Sequence, residues 1–161
     1  MKTAVYTGSF DPVTLGHLNV VERASRLVDQ LIVGIGVNSE KSGLFDPGER
    51  RELMLRVTRH LDNIEVKTFE GLAVNFVQQC GASVMIRGIR PLTDIAAEFT
   101  MMMANRKLNP GLETVFLMAD HNYTHVSSSL IKQVAPLADD EQLARFVPEE
   151  IIPELRMKIS E

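Results

Sequence analysis

The sequence predicts an α/β fold: an open, mostly parallel five-stranded sheet with helices on both faces. Three observations predict it. Apolar runs rich in β-formers alternate along the chain with segments of helical apolar spacing. One of those runs, Leu31-Ile32-Val33-Gly34-Ile35-Gly36-Val37, is continuous, as befits a strand covered on both sides. The helical segments stand between the strands as crossovers, which makes neighbouring strands parallel and their connections right-handed.

Each element follows from local chemistry. Thr3-Ala4-Val5-Tyr6 is the first strand, and residues 18–27 carry apolar side chains at helical spacing. After the second strand, Asp46-Pro47-Gly48-Glu49 marks a helix start, with Asp46 as N-cap, Pro47 in the first helical position and Glu49 placed for a capping box. That helix should run towards His60. Residues 64–69 alternate as a third strand, residues 72–80 are helical, and Gly81 stops them. Val84-Met85-Ile86 is the fourth strand. A long helix from about Thr93 to Leu108 ends at Asn109-Pro110-Gly111, and residues 114–118 form the fifth strand. A polar loop, a helix starting near Ser128 and a short helix after Pro148 complete the chain. The expected architecture is Rossmann-like and spans 1–161 as one domain, with the C-terminal helices beginning at about residue 128.

Composition narrows the function. With 161 residues, 45% of them hydrophobic, the chain can bury a real core, and disorder is excluded as the main reading. No charged segment followed by an apolar one opens the chain, and no run approaches the length of a membrane span, so a soluble cytoplasmic protein with no membrane partner is expected. The single cysteine, Cys80, has no internal partner and reads as a small buried residue. Seventeen Lys and Arg against 21 Asp and Glu give a net charge of −4, and hence no global field to attract nucleic acid. Basic groups serving an anionic ligand must therefore be gathered locally.

They are gathered at strand ends. Thr7-Gly8-Ser9-Phe10-Asp11-Pro12 and Thr14-Leu15-Gly16-His17 join the first strand to the first helix, where glycines allow close backbone approach and a helix N-terminus favours an anion. His17 adds a side-chain donor there. Lys41 follows the second strand; Arg87 and Arg90 follow the fourth; Tyr123-Thr124-His125-Val126-Ser127-Ser128-Ser129, with Lys132 beyond it, follows the fifth. Open parallel sheets bind ligands outside the carboxyl ends of their strands, so all four clusters can face one cleft. Taken singly, each has a plainer reading: a capping histidine, a solvated lysine, arginines paired with Asp94 or Glu98, and serines that cap a helix. His60, His121 and His125 read as structural or exposed, and Met101-Met102-Met103 as core or subunit interface.

The opening motif resembles the T/H-x-G-H signature of the nucleotidyltransferase superfamily, and Val126-Ser127-Ser128-Ser129 resembles its second, serine-rich signature. Within the superfamily the chain is similar to the bacterial phosphopantetheine adenylyltransferases. That similarity takes in Lys41, Leu44-Phe45, Glu49-Arg50, Asn75-Phe76, Arg87-Gly88-Ile89-Arg90, Glu98 and Phe116-Leu117. The resemblance implies reversible transfer of an adenylyl group from ATP to 4′-phosphopantetheine, giving dephospho-coenzyme A and pyrophosphate. It implies that His17 stabilises the transition state, with Lys41 and Arg90 as further catalytic groups. Ser9, Lys41, Leu72, Ala73 and Arg87 would contact phosphopantetheine. Ser9, Phe10, His17, Gly88, Ile89, Arg90, Glu98 and residues Tyr123, Thr124, His125, Val126, Ser127, Ser128 and Ser129 would contact ATP. Mg²⁺ on the ATP phosphates, feedback binding of coenzyme A and a homohexamer built as a dimer of trimers are implied in the same way. Ala73 stands where many relatives carry a larger residue, and Ile95-Ala96-Ala97 where they carry an acidic and aromatic run.

The chemistry itself asks for no base. A phosphate monoester has its second pKa at about 6, so the nucleophile is already mostly ionised at neutral pH. Catalysis then becomes a matter of positioning two anions and of preorganised donors at the α-phosphate. Two rival readings use the same motifs: a nucleotidyltransferase with another acceptor, and a nucleotide sensor without turnover.

Overall fold

Five strands, β1 (Thr3–Gly8), β2 (Gln30–Val37), β3 (Ile64–Glu70), β4 (Val84–Ile89) and β5 (Glu113–Met118), pair in the order β3-β2-β1-β4-β5, all parallel. The structure is a computed structural model and describes residues 2–38, 42–90 and 94–160. Seven α-helices lie within those residues: α1 (Leu15–Ser25), α2 (Pro47–Thr58), α3 (Ala73–Gln79), α4 (Ile95–Leu108), α5 (Ser128–Val134), α6 (Asp140–Leu143) and α7 (Ile152–Ser160). This is the Rossmann-like sheet that the strand and helix alternation predicts.

The period of two along each strand divides the core between the two faces. Ala4 and Tyr6 of β1 and Leu31, Val33 and Ile35 of β2 pack with Val20, Val21 and Ala24 of α1, Leu53, Met54 and Val57 of α2, and the C-terminal helices. Val5, Ile32 and Met85 turn the other way, onto Val74, Phe76 and Val77 of α3. Gly34 belongs to this second face. A Cβ built on it would lie 2.4 Å from Phe76 Cε1, and the absence of one lets Phe76 stack flat on Phe69 with centroids 4.4 Å apart.

The register explains where the sheet opens. β1 pairs with β4 only from Ala4 to Tyr6, opposite Val84 to Ile86. Beyond that point β1 continues along β2 to Gly8, while β4 continues along β5 to Ile89. The two central strands thus part at their carboxyl ends, where the chain order also reverses, and a crevice forms between them.

Two boundaries shift by three residues from the sequence expectation, and one helix is added. Helix α1 begins at Leu15, not 18, because Thr14 is a working N-cap, and this moves Gly16 and His17 into the first helical turn. Strand β4 runs on to Ile89, so Arg87, Gly88 and Ile89 lie within a strand and not in the loop behind it. A short extra helix, α6, follows Asp139, whose side chain forms a capping box with Gln142. Cys80 is half-buried beside the second-face core rather than fully enclosed. None of Met101, Met102 and Met103 is a core residue; Met101 and Met103 are exposed on α4.

Candidate active site

The crevice holds two lobes. The first, of about 310 Å³, is walled by the loop after β1, the first turn of α1, the end of β4 and the segment entering α5. The second, of about 400 Å³, lies towards β2, α3 and α4. Thr7, Gly8, Ser9, Arg87 and Glu98 line both, so the lobes adjoin along the end of β1 and the Arg87 side chain.

His17 is held by the cap of its own helix. Thr14 Oγ1 accepts the His17 N–H at 3.2 Å, and the Thr14 N–H donates back to His17 Nδ1 at 3.1 Å, closing a capping box in which histidine replaces the usual Glu or Gln. An Nδ1 that accepts a hydrogen bond carries no proton. The neutral ring must then carry its proton on Nε2, its remaining donor, and the ring lines the first lobe. Burial, together with the Arg90 and Arg87 charges, pushes the His17 pKa down from 6.5 to about 4. The histidine at neutral pH is therefore a hydrogen-bond donor and not a cation.

Beneath it lies Phe10, 1% exposed, with its ring edge-on to His17 at 5.0 Å and to Tyr6 at 5.3 Å. A Cβ on Gly8 would come within 2.9 Å of Phe10 Cζ, so glycine is needed for the loop to fold back over the ring. Phe10 has φ +48°, a left-handed conformation that costs a non-glycine residue about 1–2 kcal/mol and so must be held by its surroundings. The next residue is part of what holds it. Asp11 is buried and accepts the Leu44 N–H at 2.9 Å, the Phe45 N–H at 2.8 Å and Lys132 Nζ at 2.7 Å. Burial alone would raise the Asp11 pKa, but the Lys132 hydrogen bond and the two amides outweigh it and bring it below 3.8. Lys132 is thereby committed to Asp11 and does not line either lobe.

Both arginines of β4 and its following residues are ion-paired. Arg87 meets Glu98 through Nη2 at 2.6 Å and Nε at 2.8 Å, and its Nη1 donates to the Thr7 carbonyl at 2.5 Å across the gap between β1 and β4. Arg90 makes the same two-pronged contact with Asp94, at 2.8 and 2.9 Å, and reaches the Val126 carbonyl at 3.3 Å. For Arg90 the Asp94 hydrogen bond raises the pKa; for Arg87 burial opposes the charge but Glu98 prevails. The plainer reading of these residues is thus present in the structure, and it coexists with their place in the cleft wall. The Arg87–Glu98 pair is nearly neutral overall, and Arg87 Nη1 also reaches the Thr7 hydroxyl oxygen at 3.2 Å.

The serine segment is also partly spent on architecture. Ser127 caps α5 by accepting the Leu130 N–H at 3.1 Å, and the Ser128 hydroxyl donates to the Pro12 carbonyl at 2.8 Å. Among the polar groups of this segment, that leaves the Ser128 and Ser129 amides, which have no intrahelical acceptor, and the exposed Ser129 hydroxyl.

The first lobe brings together Ser9, Phe10, His17, Gly88, Ile89, Arg90, Glu98, Tyr123, Val126, Ser127, Ser128 and Ser129. Thr124 and His125 do not line it: the Thr124 hydroxyl donates to the His121 carbonyl, and His125 is exposed with its ring edge-on to Phe146 at 6.0 Å. Leu72 and Ala73, with Ser9 and Arg87, line the second lobe. Lys41 lies outside the described residues. His60 pairs with Glu22 at 3.0 Å and His121 is open to solvent beside Asp120. Sequence reasoning missed Thr14, Asp94, Met101, Met102 and Asn105 as wall residues. The T-x-x-H spacing of a capping box and the four-residue step from Arg90 to Asp94 are signals for the first two. Nothing local marks the other three, since only the crossing of α4 over β4 brings them to the second lobe.

A parallel sheet parted at its switch point, with a donor histidine and a serine loop facing each other, defines a nucleotide-binding domain of the nucleotidyltransferase class. The cytidylyltransferase-like family model matches residues 5–134. A phosphopantetheine adenylyltransferase of Rhodopirellula baltica is 64% identical over 158 residues, covering 98% of this chain and 88% of that protein. Another, of Clostridium botulinum, is 48% identical, with 99% of this chain and 96% of that protein covered. The chain belongs to the cytidylyltransferase-like family and, within it, to the phosphopantetheine adenylyltransferases. The fold is shared more widely. The Plasmodium falciparum nicotinic acid mononucleotide adenylyltransferase solved with NaAD superposes with a TM-score of 0.69 at 15% identity, over 95% of this chain and 94% of that one.

Proposed function

We propose that this protein transfers the adenylyl group of ATP to 4′-phosphopantetheine, reversibly forming dephospho-coenzyme A and pyrophosphate. Kinship with enzymes of that name supports the chemistry, and one observation carries its placement: two lobes adjoin at Ser9 and Arg87, one lined by His17 and the serine segment, the other more apolar in its walls. In this reading ATP occupies the first lobe, with adenine against backbone groups near Gly88 to Arg90, and the pantetheine arm lies along Leu72, Ala73 and the α4 methionines. The phosphopantetheine phosphate, held by Arg87 and Lys41, attacks the α-phosphate in line. His17 donates from Nε2 to the α-phosphate oxygen as charge develops there, and Arg90 adds positive charge to the same region. No side chain takes a proton.

Among the described residues no three His, Cys, Asp or Glu side chains cluster as a metal site, and the two cleft carboxylates are bound to arginines. A Mg²⁺ would therefore be held by phosphate oxygens and water, as that ion commonly is, and would neutralise phosphate charge. The exposed apolar side chains of Ile95, Phe99 and Met103 on α4 and Val115 and Met118 on β5 support self-association, in keeping with a hexamer. Coenzyme A contains the product's pantetheine arm and would compete for the second lobe. No helix among the described residues is long and apolar enough to cross a membrane, which suits a cytoplasmic setting.

Pyrophosphate release measured with ATP and a panel of phosphorylated acceptors tests the reading. Phosphopantetheine is expected to give the highest kcat/KM, and His17→Ala to lower kcat by about 100-fold or more with little change in either KM. A better acceptor in the panel, or a variant of near-normal rate, would overturn the assignment.

A further inference from the structure

Arg50 lies in the first turns of α2, is 8% exposed, and among the described residues has no carboxylate partner. Its guanidinium is spent on main-chain oxygens. Nη1 donates to the Ser9 carbonyl at 3.1 Å and to the Gly36 carbonyl at 3.4 Å, and Nε to the Asp46 carbonyl at 3.4 Å. A buried guanidinium is costly, among the described residues this one is hydrogen-bonded to carbonyls only, and an apolar side chain of similar shape would often serve stability as well or better. What Arg50 does that no apolar residue can is join three separate stretches of chain: the loop after β1, the end of β2 and the cap of α2. Two of those stretches, through Ser9 and Gly36, form walls of the lobes.

We propose that Arg50 is a positioning residue for the transfer reaction, clamping the Ser9–Phe10 peptide at the junction of the two lobes without touching either substrate. In a trans peptide the N–H lies opposite the C=O. An oxygen held on the α2 side turns the Phe10 amide away from α2, to the side where the loop meets the cleft, and sets the Ser9 side chain on the shared wall. The clamp also resists relaxation of Phe10 from its left-handed conformation, which would carry Ser9 with it. Misplacement of a site group by about 1 Å is enough to cost on the order of 100-fold in rate, so loss of the clamp should be felt in kcat.

This inference rests on the adenylyl-transfer reading, and its test separates the two. Arg50→Lys and Arg50→Met are compared with the unaltered protein for steady-state turnover of ATP and phosphopantetheine, and by hydrogen–deuterium exchange without substrates. The expected order of kcat is Arg, Lys, Met, with the Met variant down about 10-fold or more, because an ammonium donates from a single nitrogen where the planar guanidinium reaches the three carbonyls from two, and with both KM values within about 3-fold. Exchange should quicken over residues 8–11 and 34–37 and stay unchanged in α3 and β5. A folded Met variant with kcat within about 2-fold of the parent, a loss confined to KM, or unchanged exchange in the loop would each overturn the proposal. Where the Met variant does not fold, the same three outcomes in the Lys variant overturn it. Failure of the unaltered protein to form dephospho-coenzyme A would instead refute the function, while the exchange result would still decide the clamp.

Discussion

Because His17 is held neutral in the folded protein, acid should unfold this protein earlier than its carboxylates alone would require. The folded-state pKa is depressed to about 4 against 6.5 for a free histidine, so between those values the unfolded chain binds the extra proton and the native one does not. Stability is fully present above pH 6.5 and falls as the pH drops towards 4. Integrating the linkage to a pH of about 4.5 gives a loss of about 2.5 kcal/mol from this one group. The ring is partly open to the cleft, so about 1.5–2.5 kcal/mol is the working range. His17→Gln retains a side-chain oxygen able to accept the Thr14 N–H, as in an ordinary capping box, and removes the titration. Urea unfolding of both proteins at a pH of about 7.5 and about 4.5 would measure the effect, with the parent losing more stability than the variant by that range. An equal loss in the two proteins, or an NMR titration placing the imidazole pKa at 6.5 or above, would refute the tautomer argument and with it the picture of His17 as a neutral donor.

Two further substitutions probe the frame around the site. Asp11→Asn leaves a buried amide facing three donors, and losing the Lys132 pair with one backbone bond should cost about 2–4 kcal/mol in urea unfolding at neutral pH. Since the Asp11 pKa is lowered from 3.8, its contribution is present above that value and lost as the pH falls below it, so the gap between parent and variant should close in acid. Gly34→Ala places a methyl 2.4 Å from Phe76 Cε1 and should destabilise by about 1–3 kcal/mol, with Phe76→Leu in the same chain restoring part of the loss.

The elements are legible because their signals are local. The continuous run of β2, the Asp46 capping box and the stop at Gly81 each read correctly from a few neighbours. The first turn of α1 escapes the periodicity because its apolar stripe begins only after Gly16 and His17, while its start is set by a threonine cap. Arg87 reads as a loop residue because Gly88 interrupts the β-forming run and Ile89 stands isolated between it and Arg90, and pairing with β5 decides the matter. Thr124 and His125 lie outside the first lobe's wall, since a motif's residues need not all face the same way once the chain turns through a short 3-10 segment before them.

By itself the sequence determined the order of strands and helices, the donor-rich loops at the strand ends and the absence of a charge field suited to nucleic acid, because periodicity, capping and composition are properties of neighbours along the chain. Which groups remain available in the cleft was settled only by tertiary structure. Lys132 is taken by Asp11, Arg87 by Glu98 and Arg90 by Asp94, while His17 is turned into a neutral donor by Thr14 and by burial near two cations. Hydrogen-bonding capacity and charge depend on distances of a few ångströms between segments as far apart as 121 residues, and those distances exist only once the sheet has formed.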